Sequence, residues 1–260
     1  MDDVSEFQKI TSEIDKKFIF VTVSGAHLYG FDSFNSDLDL RGVHIPDVAE
    51  SLRYSTKKDT FEAMWDSHAV FSNEIDIVSH SLLKFLHLLT KSPNGYLLEQ
   101  VFSPLIVNTT QMHNKLKELA KLCITKELKH HFNGFYKNQE RIMRGDKKQI
   151  KLALYQARII AVSAYIASTS TINSNLLEVN NELNIFDNQK LLELVQLKKQ
   201  GEKNNFPDDS IKKYWVDELQ TKFDLISSSF DNSNLPNFDR VGLVEKVKKF
   251  IENHLLLKYL

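Results

Sequence analysis

The sequence predicts an α+β protein: a small mixed β-sheet in the first third of the chain, followed by a helical remainder. Three observations carry this. Up to about residue 80, apolar residues fall in short β-branched and aromatic runs bounded by turn residues. From Ser81 onward they recur at the three- and four-residue spacing of helices. Hydrophobic residues make up 42% of the 260, enough to build a core rather than a disordered chain.

Element by element, residues 4 to 16 read as an amphipathic helix, because Val4, Phe7, Ile10 and Ile14 recur at helical spacing. Phe18 to Val23 reads as a strand, broken by a tight glycine turn from Ser24 to Gly30. Leu38 to Ile45 is the second strand, ended by Pro46; residues 47 to 60 are polar and read as a loop. Phe61 to Trp65 and Glu74 to Ser79 supply further strands. Leu82 to Leu89 is apolar nearly all round and predicts a well-buried helix, punctuated by Ser92-Pro93-Asn94-Gly95. Helices are expected at 95–102, 108–121, 124–144, 148–168, 187–200, 210–229 and 240–257. The stretches 180–188 and 201–209 read as connections, and the sequence shows no repeat and no low-complexity segment beyond Ser/Asn clusters near 168–175 and 227–234.

Charge and cysteine content narrow the function classes. The net charge of −1 gives no global attraction to nucleic acid or membrane, so any nucleic-acid site has to be a local patch. Cys123 is the only cysteine, which excludes an internal disulfide. Apolar runs such as Leu82 to Leu89 are too short to cross a bilayer, and no leader-like segment opens the chain. A soluble, cytoplasmic protein without a membrane partner is the expectation.

The chemistry-bearing stretch is Ser24-Gly25-Ala26-His27-Leu28-Tyr29-Gly30, a short spacer, and Ser36-Asp37-Leu38-Asp39-Leu40-Arg41-Gly42. Asp37 and Asp39 are two residues apart, so on a strand both carboxylates face the same side. Hard carboxylate oxygens beside phosphate oxygens are what magnesium prefers. Asp76, in the next strand-like segment, is the candidate third carboxylate, with Glu74 as the fallback. The glycine turn would present backbone N–H groups to phosphates, with Ser24 and His27 as added donors. Other readings fail on sequence grounds. A calcium loop counted from Asp37 meets Arg41 and Val48 where it needs an acceptor and Glu. No Gly-Lys-Ser/Thr follows the glycines, and their spacing misses the dinucleotide fingerprint.

The combination of apolar strand, G-x-x-x-x-G, spacer and S-D-x-D-L closely resembles the signature of polymerase-β-type nucleotidyltransferases. The longer string S-G-A-H-L-Y-G-F through S-D-L-D-L-R-G-V resembles the predicted nucleotidyltransferases of the RNA-repair-pathway type. Further landmarks are D-I-V-S-H-S-L-L-K-F-L (76–86), H-F-N-G-F-Y-K-N-Q (131–139), K-L-A-L-Y-Q-A-R (151–158), L-K-K-Q-G-E-K (197–203) and S-N-L-P (233–236). The resemblance implies a nucleotidyltransferase core over residues 1–80, with a helical domain, 81–260, packed on it. It also implies Mg²⁺- or Mn²⁺-dependent transfer of a nucleoside monophosphate from an NTP, ATP first among them, to a hydroxyl of RNA, protein or a small molecule. Asp37, Asp39 and Asp76 would be the catalytic and metal residues. Ser24, Gly25, Ala26, His27, Gly30, Ser36, Arg41, Lys151, Tyr155 and Arg158 would line the nucleotide site. One departure stands out: the superfamily usually has Gly-Ser in the turn, and here Gly25-Ala26 removes the hydroxyl.

Outside the first motif, Lys151, Tyr155 and Arg158 fall at i, i+4 and i+7 of one helix. They form either a stripe facing the nucleotide or a solvated face. Gln139, Arg141, Arg144, Lys147 and Lys148 make the densest basic patch, which could hold an RNA acceptor by its phosphates or simply be a charged helix end. His130-His131 lacks metal-site partners, Cys123 reads as structural, and Tyr54 or Trp65 could stack on a base. A non-catalytic nucleotide- or RNA-binding module and an antitoxin-like interaction protein are the other function classes open to these residues.

Overall fold

In the computed structural model, which describes residues 4–46, 59–143, 149–200 and 205–254, the apolar runs of the first part do become strands. They are β1 (Lys17–Val23), β2 (Leu38–Ile45), β3 (Thr60–Trp65) and β4 (Ile75–Ser81), and a fifth, β5 (Ile106–Thr109), joins them. The sheet order is β3-β4-β2-β1-β5. β2 and β4 run parallel; the other neighbours are antiparallel, so the sheet is mixed and the protein is α+β.

Alternation along the strands divides the sheet into two apolar faces. Val21, Val23, Leu38, Leu40, Ile75, Ile77 and Val107 form one face, covered by Phe7 and Ile10. Ile19, Phe20 and Val43 belong to the other, which merges with the helices into one apolar cluster reaching Phe250. Phe20 stacks on His113 at 4.3 Å and meets Phe85 edge-on at 6.2 Å, anchoring the sheet to both flanking helices.

Those helices are α3 (Leu82–Lys91), α4 (Gly95–Phe102), α5 (Gln111–Lys121), α6 (Leu128–Met143), α7 (Gln149–Thr169), α8 (Leu176–Leu183), α9 (Asn188–Lys199), α10 (Asp209–Lys222), α11 (Leu225–Asp231) and α12 (Arg240–His254). Side-chain caps mark several starts. The Ser81 hydroxyl accepts from the Lys84 N–H, and Asn94, Asn175, Asp187 and Asp208 cap α4, α8, α9 and α10.

The structure departs from the sequence reading at identifiable places. The N-terminal helix shrinks to a 3₁₀ turn, Ser5–Phe7, and α1, Gln8–Ser12, because the chain must turn into β1 once Phe7 and Ile10 have reached the sheet. The glycine turn contains a five-residue helix, α2 (Gly25–Tyr29), flanked by left-handed Gly25 (φ +63°) and Gly30 (φ +82°). Residues 106–109 pair with β1, so 108 and 109, expected to open a helix, are strand instead. α3 is two-sided: Leu82, Phe85, Leu86 and Leu89 are buried while Leu83 is 46% exposed. α8 overlaps the connection expected at 180–188, and the 210–229 helix is two helices. The 21-residue α7 is long and apolar enough by composition to cross a bilayer, beyond the apolar runs weighed from sequence, but most of it is buried by neighbouring helices. The loop expected at 47–60 lies outside the described residues up to 58.

Candidate active site

The site forms where the sheet meets the helical part. In the parallel β2–β4 register Asp39 lies opposite Asp76, so the two carboxylates stand side by side on one face. Asp37, just before β2, is exposed, as is Glu74 just before β4; Asp39 and Asp76 are half-buried.

Gly25 backs directly onto Asp39. A Cβ there would lie 2.0 Å from Asp39 Oδ2, and the residue's φ of +63° disfavours a side chain as well. The Ser24 N–H donates to the Asp39 carbonyl at 2.8 Å, stitching the turn to β2. The turn and the carboxylates, separated in sequence, thus touch. Ala26 is buried in the main cluster. Gly30 permits another close approach: a Cβ there would meet Asn175 Oδ1 at 2.5 Å, at the start of α8.

Arg41 ties the carboxylates together. Its Nη2 donates to Asp39 Oδ1 at 2.8 Å and to Asp76 Oδ2 at 2.9 Å. Nη1 donates to the carbonyls of Leu40 at 2.8 Å and Asp76 at 3.0 Å, and Nε to the Tyr96 hydroxyl at 2.7 Å. Burial opposes the Arg41 charge, but Tyr96, Asp39 and Asp76 hold its pKa above the ordinary arginine value. Burial raises the Asp39 pKa above the ordinary aspartate value, with Asp76 and Asp37 adding to it; Arg41 and Lys151 pull the other way.

Lys151, near the start of α7, is therefore brought within electrostatic reach of Asp39. The rest of its stripe goes deeper. Tyr155 packs edge-on against Tyr29 at 5.7 Å and Phe31 at 5.6 Å. Arg158 is fully buried, ion-paired to Glu99 and stacked over the Tyr29 ring at 3.7 Å. Its charge is committed inside the protein to Glu99. Burial also lifts the Tyr29 pKa well above its usual value.

The remaining candidates have partners of their own. Ser24 is buried in the strand-to-turn junction. The His27 ring is buried, 3.5 Å from Asp32 and edge-on to Phe71 at 6.0 Å; Asp32 is held below its usual pKa chiefly by His27. Ser36 is buried and accepts from Ser33 N–H at 2.9 Å and Lys198 Nζ at 2.8 Å. Of the basic patch, Gln139 is half-buried and Arg141 exposed; Arg144, Lys147 and Lys148, like Tyr54, lie outside the described residues. Trp65 packs against the smaller apolar cluster. Cys123 is buried and its thiol is pushed up to about 12.

Sequence reading missed Tyr96, Glu99 and Lys198. The signal for two of them was present. Lys198 falls on the same helical face as Leu191, Leu194 and Val195, and Glu99 lies among Leu97, Leu98 and Val101. A charge at a core position implies a buried partner. Tyr96 carries no such mark.

Hard carboxylate oxygens suit magnesium or manganese. Among the described residues no three His, Cys, Asp or Glu side chains converge as one ligand set. Magnesium tolerates this, since it is commonly held by one or two carboxylates plus phosphate oxygens and water.

A mixed sheet that sets aspartates side by side on parallel strands, against a glycine turn, defines a polymerase-β-like nucleotidyltransferase class. The model of the RNA repair pathway DNA polymerase beta family matches residues 2–241, and the chain belongs to that family. It is 34% identical over 128 residues to an uncharacterised protein of Methanocaldococcus jannaschii, covering 48% of this chain and 49% of that one. It is 25% identical over 173 residues to the uncharacterised protein YcgL of Bacillus subtilis, covering 65% of this chain and 64% of that one. The matches thus span about half to just under two thirds of these curated relatives. Among solved structures, a nucleotidyltransferase-like protein from Exiguobacterium sibiricum aligns with a TM-score of 0.33 and 10% identity, over 86% of this chain and 74% of that one.

Proposed function

We propose that the chain transfers a nucleoside monophosphate from an NTP, ATP foremost, to a hydroxyl acceptor with magnesium or manganese. The observation that carries this reading is the contact between the Gly25 turn and the Asp39 carboxylate, with Asp76 in register beside it. Phosphate-directed backbone and cation-directed oxygens then share one small surface. A divalent cation, when bound, neutralises phosphate charge and orients the triphosphate. Asp37 and Asp39 would hold it. Asp76 is the third carboxylate of the site, on the acceptor side, and Gly25, Ala26 and Gly30 shape the phosphate turn. Lys151 adds positive charge near Asp39, and Tyr155 packs against Tyr29 and Phe31 beneath it. Arg158 would act at a distance, fixing the helix that presents Lys151. The family's description favours RNA as acceptor; protein or small-molecule hydroxyls fit the same chemistry.

The test is transfer of label from an α-phosphate-labelled NTP to an RNA pool, or to the protein itself, with Mg²⁺ or Mn²⁺. Labelling should be lost in the Asp37→Ala/Asp39→Ala double variant. Equal labelling by that variant would overturn the assignment. Magnesium-independent NTP binding with no transfer would instead identify a binding module.

A further inference from the structure

The guanidinium of Arg41 is held in an unusual degree of completeness. An arginine has five N–H donors. Here Nε donates to Tyr96 Oη, the two Nη1 hydrogens go to the carbonyls of Leu40 and Asp76, and the two Nη2 hydrogens to Asp39 Oδ1 and Asp76 Oδ2. The acceptors lie between 2.7 and 3.0 Å away. No donor is left over for a phosphate, and moving the side chain would forfeit five hydrogen bonds, two of them to carboxylates and hence charge-assisted. The side chain is 12% exposed, so water would replace those bonds poorly.

The position matters as much as the count. Arg41 sits two residues after Asp39 on β2, on the same face, and its Nη2 bridges one oxygen of each aspartate. That is the space a cation shared by Asp39 and Asp76 would have to enter. The other Asp39 oxygen, Oδ2, is the one turned toward Gly25 and the phosphate turn. The two oxygens of Asp39 therefore face different partners, one a fixed cation of the protein and the other the turn.

We infer that Arg41 is the resident cation of the Asp39–Asp76 pair, so that the nucleotide-loaded protein takes up one exchangeable divalent ion, on the Asp37/Asp39 side, and not two. Arg41 is in this sense a positioning residue that neutralises the acceptor-side carboxylates permanently. The inference rests on the nucleotidyl-transfer reading, and its test is separable from it.

The test counts Mn²⁺ per chain by electron paramagnetic resonance, with an ATP analogue carrying a methylene bridge between the α and β phosphorus atoms. The wild type is expected to bind one Mn²⁺. Arg41→Met, similar in reach but uncharged, is expected to bind two. Two in the wild type would overturn the inference whatever the variant does, as would one in a folded Arg41→Met protein. If the Arg41→Met protein fails to fold, the wild-type count still decides. A wild type that binds two ions and still transfers label in the assay above loses only the role of Arg41. A wild type that binds none, or an Asp37→Ala/Asp39→Ala variant that binds as many as the wild type, removes both readings.

Discussion

Gly25 shows how one residue can be required twice. Its left-handed φ costs a side-chain-bearing residue roughly 1–2 kcal/mol, and a methyl there would run into Asp39 Oδ2. Gly25→Ala is therefore expected to lower stability by about that amount or more and to push the Asp39 carboxylate away from the turn. Urea unfolding and the labelling assay, run together, check this. A variant with wild-type stability and wild-type transfer would show that the turn and carboxylate are not in contact during catalysis. Residues of this kind were readable in advance: glycines around an apolar strand and two alternating aspartates mark themselves by type and spacing. Arg41 was readable as part of the motif but not as a five-bond clamp, because Tyr96 and Asp76 reach it through tertiary structure and not through spacing.

Within single helices, the sequence signal was strongest where local chemistry sets the boundary and weakest where pairing comes from far away. Asn94 and Asp187 cap α4 and α9, and the expected bounds of 95–102 and 187–200 match them closely. β5 was missed because its four residues become a strand only through β1. The Lys151–Tyr155–Arg158 stripe was found as a stripe, but its burial gradient follows from α6 packing along α7 and from Arg158 reaching Glu99 on α4. That gradient makes two predictions. Glu99 and Arg158 are 1% and 0% exposed as side chains, so removing one partner strands a buried charge. Glu99→Ala is expected to cost about 3–5 kcal/mol, and Glu99→Leu with Arg158→Met distinctly less, measured by urea unfolding. A double variant as damaged as the single would show that the pair itself holds α4 to α7.

The second concerns His131 on α6, whose pKa falls from 6.5 to about 4 through burial first and Arg158 second. A histidine depressed in the folded state contributes stability above its unfolded pKa and loses it as pH falls through its folded pKa. Wild type should thus lose on the order of 3 kcal/mol between pH 7 and pH 4 that His131→Phe retains. Parallel loss in both proteins would place the acid sensitivity elsewhere.

For the molecule as a whole, the division read from sequence at residue 80 marks a change in local pattern, and we propose that it is not a folding boundary. Composition shifts from strand-like to helical there because α3 begins at Leu82. The sheet nevertheless draws β5 from residues 106–109, and without it β1 becomes an open edge. One sheet face is covered largely by later residues: Phe20 meets Phe85 and His113, and Ile19 and Val43 belong to the cluster that continues through the helices. The site straddles the same line, with Asp39 and Asp76 before it and Tyr96 and Lys151 after it. A chain of residues 1–81 would leave an apolar face and a strand edge in water, a combination that favours association over folding. It is expected to show no cooperative thermal transition and to aggregate, whereas the full chain melts as a unit. Circular dichroism with light scattering distinguishes the outcomes. A soluble 1–81 fragment with a sharp transition would restore residue 80 as a domain boundary, and would mean that the carboxylate pair is assembled before the helices that complete its surroundings.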